Sequence, residues 1–274
     1  MAGVSSGPAG SSGPTADGSG PVADSSGAPG WLDEQAPKEH RQEWAIRAPS
    51  LGAAVEVTLW SPAGVPDDEP APLLVVHDGP AYDRESRLTH YLAVGVASGR
   101  VPPVRAALLA SADRDDWYSA NDAYSRALAG TVLPDIAGRV PIRRRIGMGT
   151  SLGALAMLHA HQCGSGLFDA LFLQSGSFFQ PVFDSQEAGF AHYGRIVAFV
   201  AAVIGGGVDH PVPTVMTCGR SEENVDNNRA MATALRRHGY QVALHEGPGG
   251  HDFTAWRDAL DPPLEQLLVG GRGR

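Results

Sequence analysis

"RRRIGMGTSLGALAMLHAH", residues 143–161, runs from a charged stretch through a glycine-rich turn into small and apolar residues. Gly147, Gly149 and Gly153 surround one serine, Ser151. Glycine tolerates backbone angles and close approaches that other residues cannot. The turn is therefore either a plain tight connection or a device that holds Ser151 strained and exposed. The pattern G-x-S-x-G is a weak signal alone. Its flanks give it weight. The apolar run "RRIGMG" before it reads as a strand, and "SLGALAMLHAHQ" after it reads as a helix. A strand–turn–helix unit of this kind raises a nucleophilic serine above the edge of a sheet. The helix N-terminus at Ser151 favours developing negative charge.

Outward from this unit, short apolar runs alternate with longer segments of helical spacing. "APLLVVHD", "VRAALLAS", "DALFLQS", "PTVMTC" and "QVALHE" predict strands; "NDAYSRALAGTVLPDIAGR", "NNRAMATALRRHGY" and "ESRLTHYLAVGVASG" predict helices. Such alternation implies a mostly parallel central sheet with helices on both faces, an α/β architecture. Two extended stretches precede it, "HRQEWAIRA" and "AAVEVTLWSP". They flank the turn "PSLG" and predict an antiparallel hairpin.

The remaining totals mostly exclude. The chain has 274 residues and a formal net charge of −9, enough length for one large domain and the wrong sign for a nucleic-acid surface. No apolar run reaches the length of a membrane span; "IVAFVAAVIGGGV", from Ile196, is shorter and reads as a buried helix. Cys163 and Cys218 are the only cysteines, too few for a disulfide framework or a metal quartet. No metal, no cofactor and a cytoplasmic setting are expected. Residues 1–30 are almost entirely Gly, Ser, Ala and Pro, without the basic start and apolar stretch of a secretory signal. They predict a disordered tail ahead of a folded domain over 31–270.

A serine hydroxyl needs a base, and chain order after the serine places an acid and then a histidine. Of ten histidines, His251 in "EGPGGHDFTAWRDAL" fits best, on a glycine-rich loop after the last strand. His245 falls inside that strand. His238 sits beside Arg236 and Arg237 and reads as solvated, and His77 ends a strand and could border the pocket. His159 and His161 are two apart on one helix and make a poor metal pair. The acid belongs after "PTVMTC", where Glu222, Glu223 and Asp226 all stand. Glu222 is nearest the strand end and is favoured to hold the imidazole of His251. The others fit a helix start, where the dipole favours carboxylates.

Taken together, "LLVVHDGPAYD", "LPDIAGRVPIRRRIGMGTSLGALAML", "CGRSEENVDNNRAMATALRRHG" and "GGHDFTAWRDAL" resemble the "putative esterase" family of the α/β-hydrolase superfamily. That family includes enterochelin-esterase-like proteins, esterase D, cinnamoyl esterases and mycolyltransferases. The resemblance covers most of the chain from about Glu39. It implies an α/β-hydrolase fold, with Ser151 as nucleophile, His251 as base and Glu222 as acid. It also implies an oxyanion hole made by the backbone N–H of Leu152 and a donor after "LLVVHDG". Here the chain departs from the family pattern, because Pro80 has no N–H. Gly79 or Ala81 must then supply the donor. In "SADRDDWYSANDAY", Arg114, Trp117 and Tyr118 are candidate substrate contacts, and Phe178 and Phe179 are candidates for an apolar wall.

The expected activity is hydrolysis of a carboxylic ester, siderophore-lactone, aromatic or simple acyl, through an acyl-enzyme. The partner is a small-molecule ester, and neither nucleic acid nor membrane is expected. Two alternatives remain open at this level. One is an acyltransferase using the same three residues, and the other is a hydrolase-like domain that binds a ligand without turning it over.

Overall fold

The computed structural model describes residues 27–207 and 209–270. Most of the tail expected over 1–30 lies outside the described residues. From Trp31, which is buried, the chain enters β1 (Glu39–Ala48) and β2 (Ala53–Pro62). They pair antiparallel about Pro49–Gly52, where Gly52 takes a φ of 63°. The remaining strands are β3 (Ala71–His77), β4 (Arg105–Ala110), β5 (Ile142–Thr150), β6 (Ala170–Gln174), β7 (Pro213–Gly219) and β8 (Gln241–Gly247). They form one eight-stranded sheet in the order β1-β2-β4-β3-β5-β6-β7-β8. β2 meets β4 antiparallel, and every pairing from β4 to β8 is parallel.

Among the described residues, ten α-helical segments cover this sheet. They are α1 (Gly79–Ser86), α2 (Leu88–Ala97), α3 (Arg114–Trp117), α4 (Asp122–Ala127), α5 (Leu133–Ala137), α6 (Leu152–Cys163), α7 (Tyr193–Gly205), α8 (Val225–Arg237), α9 (Phe253–Asp258) and α10 (Pro263–Val269). β3, β4, β6 and β7, and β5 from Ile146 onward, are buried along nearly their whole length because both sides of the sheet are covered. One core joins the sheet to α4–α8 through residues such as Leu155, Val200 and Met231. A second, on the opposite face, joins it to α1, α2, α9 and α10 through Tyr82, Leu92, Trp256 and Leu264. α6 is buried on every side from Leu152 to His161, as its small and apolar residues require. Among the described residues no helix is long and apolar enough to cross a membrane.

Three helices differ from the sequence expectation. The helix expected over 85–99 breaks at Arg87, which has a φ of 55°. Asp83 accepts a hydrogen bond from the Thr89 N–H at 2.8 Å and so starts α2 afresh. The helix expected over 121–139 widens to a π-turn at Leu128–Val132. Pro134 follows and has no N–H to give the carbonyl four residues back. The helix containing Ile196, expected to be buried, is one-sided. Ile196, Val200 and Val203 face the core, while Ala198, Ala201 and Ala202 are not buried.

Parallel order is what gathers the site. β5, β6, β7 and β8 are adjacent and point the same way, so the turns leaving them open on one edge of the sheet. This is where open α/β sheets place their ligands.

Candidate active site

Ser151 occupies the turn between β5 and α6 with φ 54° and ψ −124°, a conformation costly for a residue with a side chain. The glycines on either side make it possible. A Cβ on Gly149 would lie 2.3 Å from the Gly153 carbonyl oxygen, inside the turn itself. A Cβ on Gly153 would lie 3.2 Å from the Cβ of His77. The turn is pinned to the sheet by the Ser151 N–H, which donates to the Gln174 carbonyl at 2.9 Å. Leu152 is the first residue of α6, so its N–H has no helical acceptor.

The Ser151 Oγ lies 3.1 Å from His251 Nε2, and His251 Nδ1 lies 2.8 Å from Glu222 Oε2. The sequence left three carboxylates open, and the structure brings only one of them to the histidine. The Glu222 side chain is 1% exposed, whereas Asp226 is exposed and pairs with Arg229 at 3.0 Å. Glu223 is also exposed and lines the pocket mouth. Glu222 Oε1 accepts two further hydrogen bonds, from the Gly219 N–H at 2.6 Å and the Ser175 hydroxyl at 2.8 Å. Three donors converge on one carboxylate, which fixes its orientation.

A supporting layer escaped the sequence reading. The indole N–H of Trp256 donates to Ser175 Oγ at 3.0 Å, which leaves the Ser175 hydrogen pointing to Glu222. The same indole meets the His251 ring edge-on, centroids 5.1 Å apart. This gives the run "HDFTAW" a structural meaning: Asp252 caps α9 by accepting from the Ala255 N–H, and α9 carries Trp256 back under His251. Asn224 and Asn228, read from sequence only as part of a helix start, are buried. Asn224 donates to the Ser175 carbonyl at 2.8 Å, and Asn228 accepts from the Gly176 N–H at 3.0 Å. They fix the loop that brings Ser177 Oγ to 3.0 Å from Ser151 Oγ. The signal was present as amides at helical spacing, but nothing local says which loop they hold.

Several expected pocket residues lie elsewhere. Tyr118 is fully buried, stacked on His77 with centroids 4.5 Å apart, and its hydroxyl accepts from the Asp78 N–H at 3.3 Å. Trp117 and Phe178 are also buried, and none of the three lines the pocket beside Ser151. Arg114 is partly exposed and donates to Asp78 at 2.8 Å, bracing the turn after β3. Gly79 is the first residue of α1 and packs against the Leu108 backbone, leaving no room for a Cβ. Its N–H, like that of Leu152, has no helical acceptor. Phe179 does line the pocket beside Ser151. That pocket has a volume of about 260 Å³ and also contains Leu152, Phe190, Glu187, Glu223 and His251. A larger cavity, about 480 Å³, lies behind Glu222 against Cys218 and His245, and its lining includes neither Ser151 nor His251.

His77 is not at the pocket. It is fully buried, its Nδ1–H donates to the Gly153 carbonyl and its Nε2 accepts from the Tyr124 hydroxyl, both at 2.9 Å. Burial, ahead of the nearby Arg114 charge, holds its imidazole at about 4 against an ordinary value near 6.5. Between those values the unfolded chain binds a proton that the folded chain refuses. Stability therefore falls as pH falls from about 6.5 toward 4, with this residue contributing a slope approaching about 1.4 kcal/mol per pH unit. Urea unfolding across that window measures it. A profile no flatter in His77→Gln than in the native chain would remove His77 as the cause.

Known proteins share this architecture. The family model described as "Putative esterase" matches residues 48–267. The iron(III) enterobactin esterase of Dickeya dadantii (strain 3937) is 30% identical over 217 residues, which is 74% of this chain and 49% of that protein. The chain thus spans about half the length of this relative. The crystal structure of the enterobactin esterase from Shigella flexneri superposes with a TM-score of 0.75 at 22% identity, covering 90% of this chain and 64% of that one. A ferulic acid esterase superposes at 0.70 with 18% identity, over 85% of this chain and 99% of the other. At these identities the two structures show the fold.

Proposed function

The chain belongs to this esterase family, and on that premise we propose that it hydrolyses a carboxylic ester through an acyl-enzyme on Ser151. The observation that carries the reading is the continuous path from Ser151 Oγ through His251 to Glu222, at 3.1 and 2.8 Å. As Ser151 Oγ attacks the ester carbonyl, its proton passes to His251 Nε2. Glu222 holds Nδ1–H and stabilises the imidazolium that forms. The backbone N–H groups of Leu152 and Gly79 take the charge developing on the carbonyl oxygen, assisted by the N-terminus of α6. His251 then returns the proton to the departing alcohol. In the second half His251 takes a proton from water, the hydroxide attacks the acyl carbon, and His251 returns that proton to Ser151 Oγ as the acid leaves.

The pocket narrows the substrate class. Leu152, Phe179 and Phe190 offer apolar surface, while Glu187 and Glu223 make the wall acidic. An uncharged aromatic or acyl ester fits this lining better than an anionic one. Enterobactin, named for two of the relatives, belongs in the test panel. A fluorophosphonate probe is expected to label Ser151, mapped by peptide mass spectrometry, and to fail in His251→Ala. Label absent from Ser151 in the native chain rejects the acyl-enzyme. Equal kcat/KM for matched neutral and carboxylate-bearing aryl esters discards the charge argument alone.

A further inference from the structure

On the face of the sheet covered by α4 and α6, three side chains from two distant stretches of sequence converge. His159 Nε2 lies 3.3 Å from Asp122 Oδ1 and 3.5 Å from Cys163 Sγ, and that sulfur lies 3.8 Å from the same Asp122 oxygen. We propose that Asp122, His159 and Cys163 bind a divalent, thiophilic metal ion, with Zn²⁺ the best match. Zinc bonds of about 2.0–2.3 Å in a tetrahedron put their donor atoms about 3.3–3.8 Å apart, the range these three atoms span. The donor set, one imidazole, one thiolate and one carboxylate, suits Zn²⁺ and excludes Mg²⁺ and Ca²⁺, which take oxygen.

The surroundings orient the donors. His159 and Cys163 are four apart on the last turns of α6 and share a face. The buried imidazole packs edge-on against Phe199, centroids 4.8 Å apart. Its other nitrogen, Nδ1, lies 2.7 Å from the buried Ser125 hydroxyl, the kind of partner that fixes a ligating histidine. Arg126 approaches Asp122 through Oδ2, at 3.9 Å, and leaves Oδ1 to the site. Asp122 and Cys163 are exposed, so an ion can enter and water can fill a fourth position. A cysteine nucleophile with a histidine relay is a different arrangement. It needs thiol and carboxylate on opposite ring nitrogens. Here both face Nε2.

The sequence set His159 and His161 aside as a poor metal pair, and no metal was expected. His161 turns away, its Nε2 against the His210 carbonyl at 2.8 Å, and Asp122 is brought in only by the packing of α4 on α6.

The test uses the full chain, reduced with a phosphine. Titration with Zn²⁺ by calorimetry is expected to give one site per chain. Titration with Co²⁺ is expected to give a thiolate-to-cobalt charge-transfer band. Cys163→Ser removes the band, and Cys163→Ser and Asp122→Asn each weaken Zn²⁺ binding by at least the ~10- to 100-fold expected of a supporting-residue change such as Ser125→Ala. Both altered positions are exposed, so folding, checked by circular dichroism, and ester hydrolysis are expected to remain. Absence of stoichiometric binding, a cobalt complex without the band, or native affinity in both variants overturns the site.

Discussion

Ser151→Ala is expected to lower kcat for an activated aryl ester by on the order of 10⁴- to 10⁶-fold, with the protein still folded. The size follows from the absence of a substitute. Ser177 Oγ is 3.0 Å from Ser151 Oγ, but the hydroxyl that faces His251 Nε2 is that of Ser151. Cys218 is buried, and burial first, then the Glu222 charge, pushes its thiol up to about 12, so it stays protonated. His251→Ala is expected to cost about as much, because a serine without its base is a poor nucleophile. The double variant is expected to be no worse than either single one, since the residues act as a unit. The measurement is kcat by ester turnover in all three. Retention of most of the activity in Ser151→Ala would place the chemistry elsewhere.

Glu222→Gln is expected to lower kcat by about 10⁴-fold, while Glu223→Gln and Asp226→Asn stay near the native rate. The donors around Glu222 explain why so similar a side chain fails. Gly219 N–H and Ser175 O–H point at one oxygen, and His251 Nδ1 faces the other. A glutamine has a single oxygen. If it accepts from Gly219 and Ser175, its NH₂ faces Nδ1 and forces the imidazole proton onto Nε2, toward Ser151. The histidine then cannot take the serine proton. If the amide flips, its NH₂ opposes two donors in a buried site, at a cost of about 1–3 kcal/mol or more. Comparing the three variants for kcat and urea stability tests both branches. A fall in kcat with Glu223→Gln and none with Glu222→Gln would reassign the acid.

Much of this was legible in the chain. The strand runs "AAVEVTLWSP", "APLLVVHD" and "PTVMTC" lie within a residue of β2, β3 and β7. A strand buried on both faces must be a compact apolar run, and its ends are marked by turn residues. Helix boundaries were less legible where one side chain decides them. Asp83 restarts a helix and Pro134 widens one, and neither effect follows from apolar spacing. The glycines around Ser151 announced a tight turn. That Gly149 is excluded from carrying a side chain by the Gly153 carbonyl depends on the turn's actual path.

The sequence by itself determined the parallel α/β framework, the turn that strains Ser151, and the short list from which the proposed acid and base come. These are consequences of local chemistry: apolar periodicity, glycine at close approaches, and the order of loops after strands. Only the tertiary structure decided which carboxylate meets His251, that Tyr118 stacks inside the core while Phe179 lines the pocket, and that Asp122 joins His159 and Cys163. Those outcomes join residues distant in the chain: Glu222 and His251 are 29 positions apart, and Asp122 and Cys163 are 41. Such pairings are set by strand order and helix packing, which place side chains together whatever their neighbours in sequence.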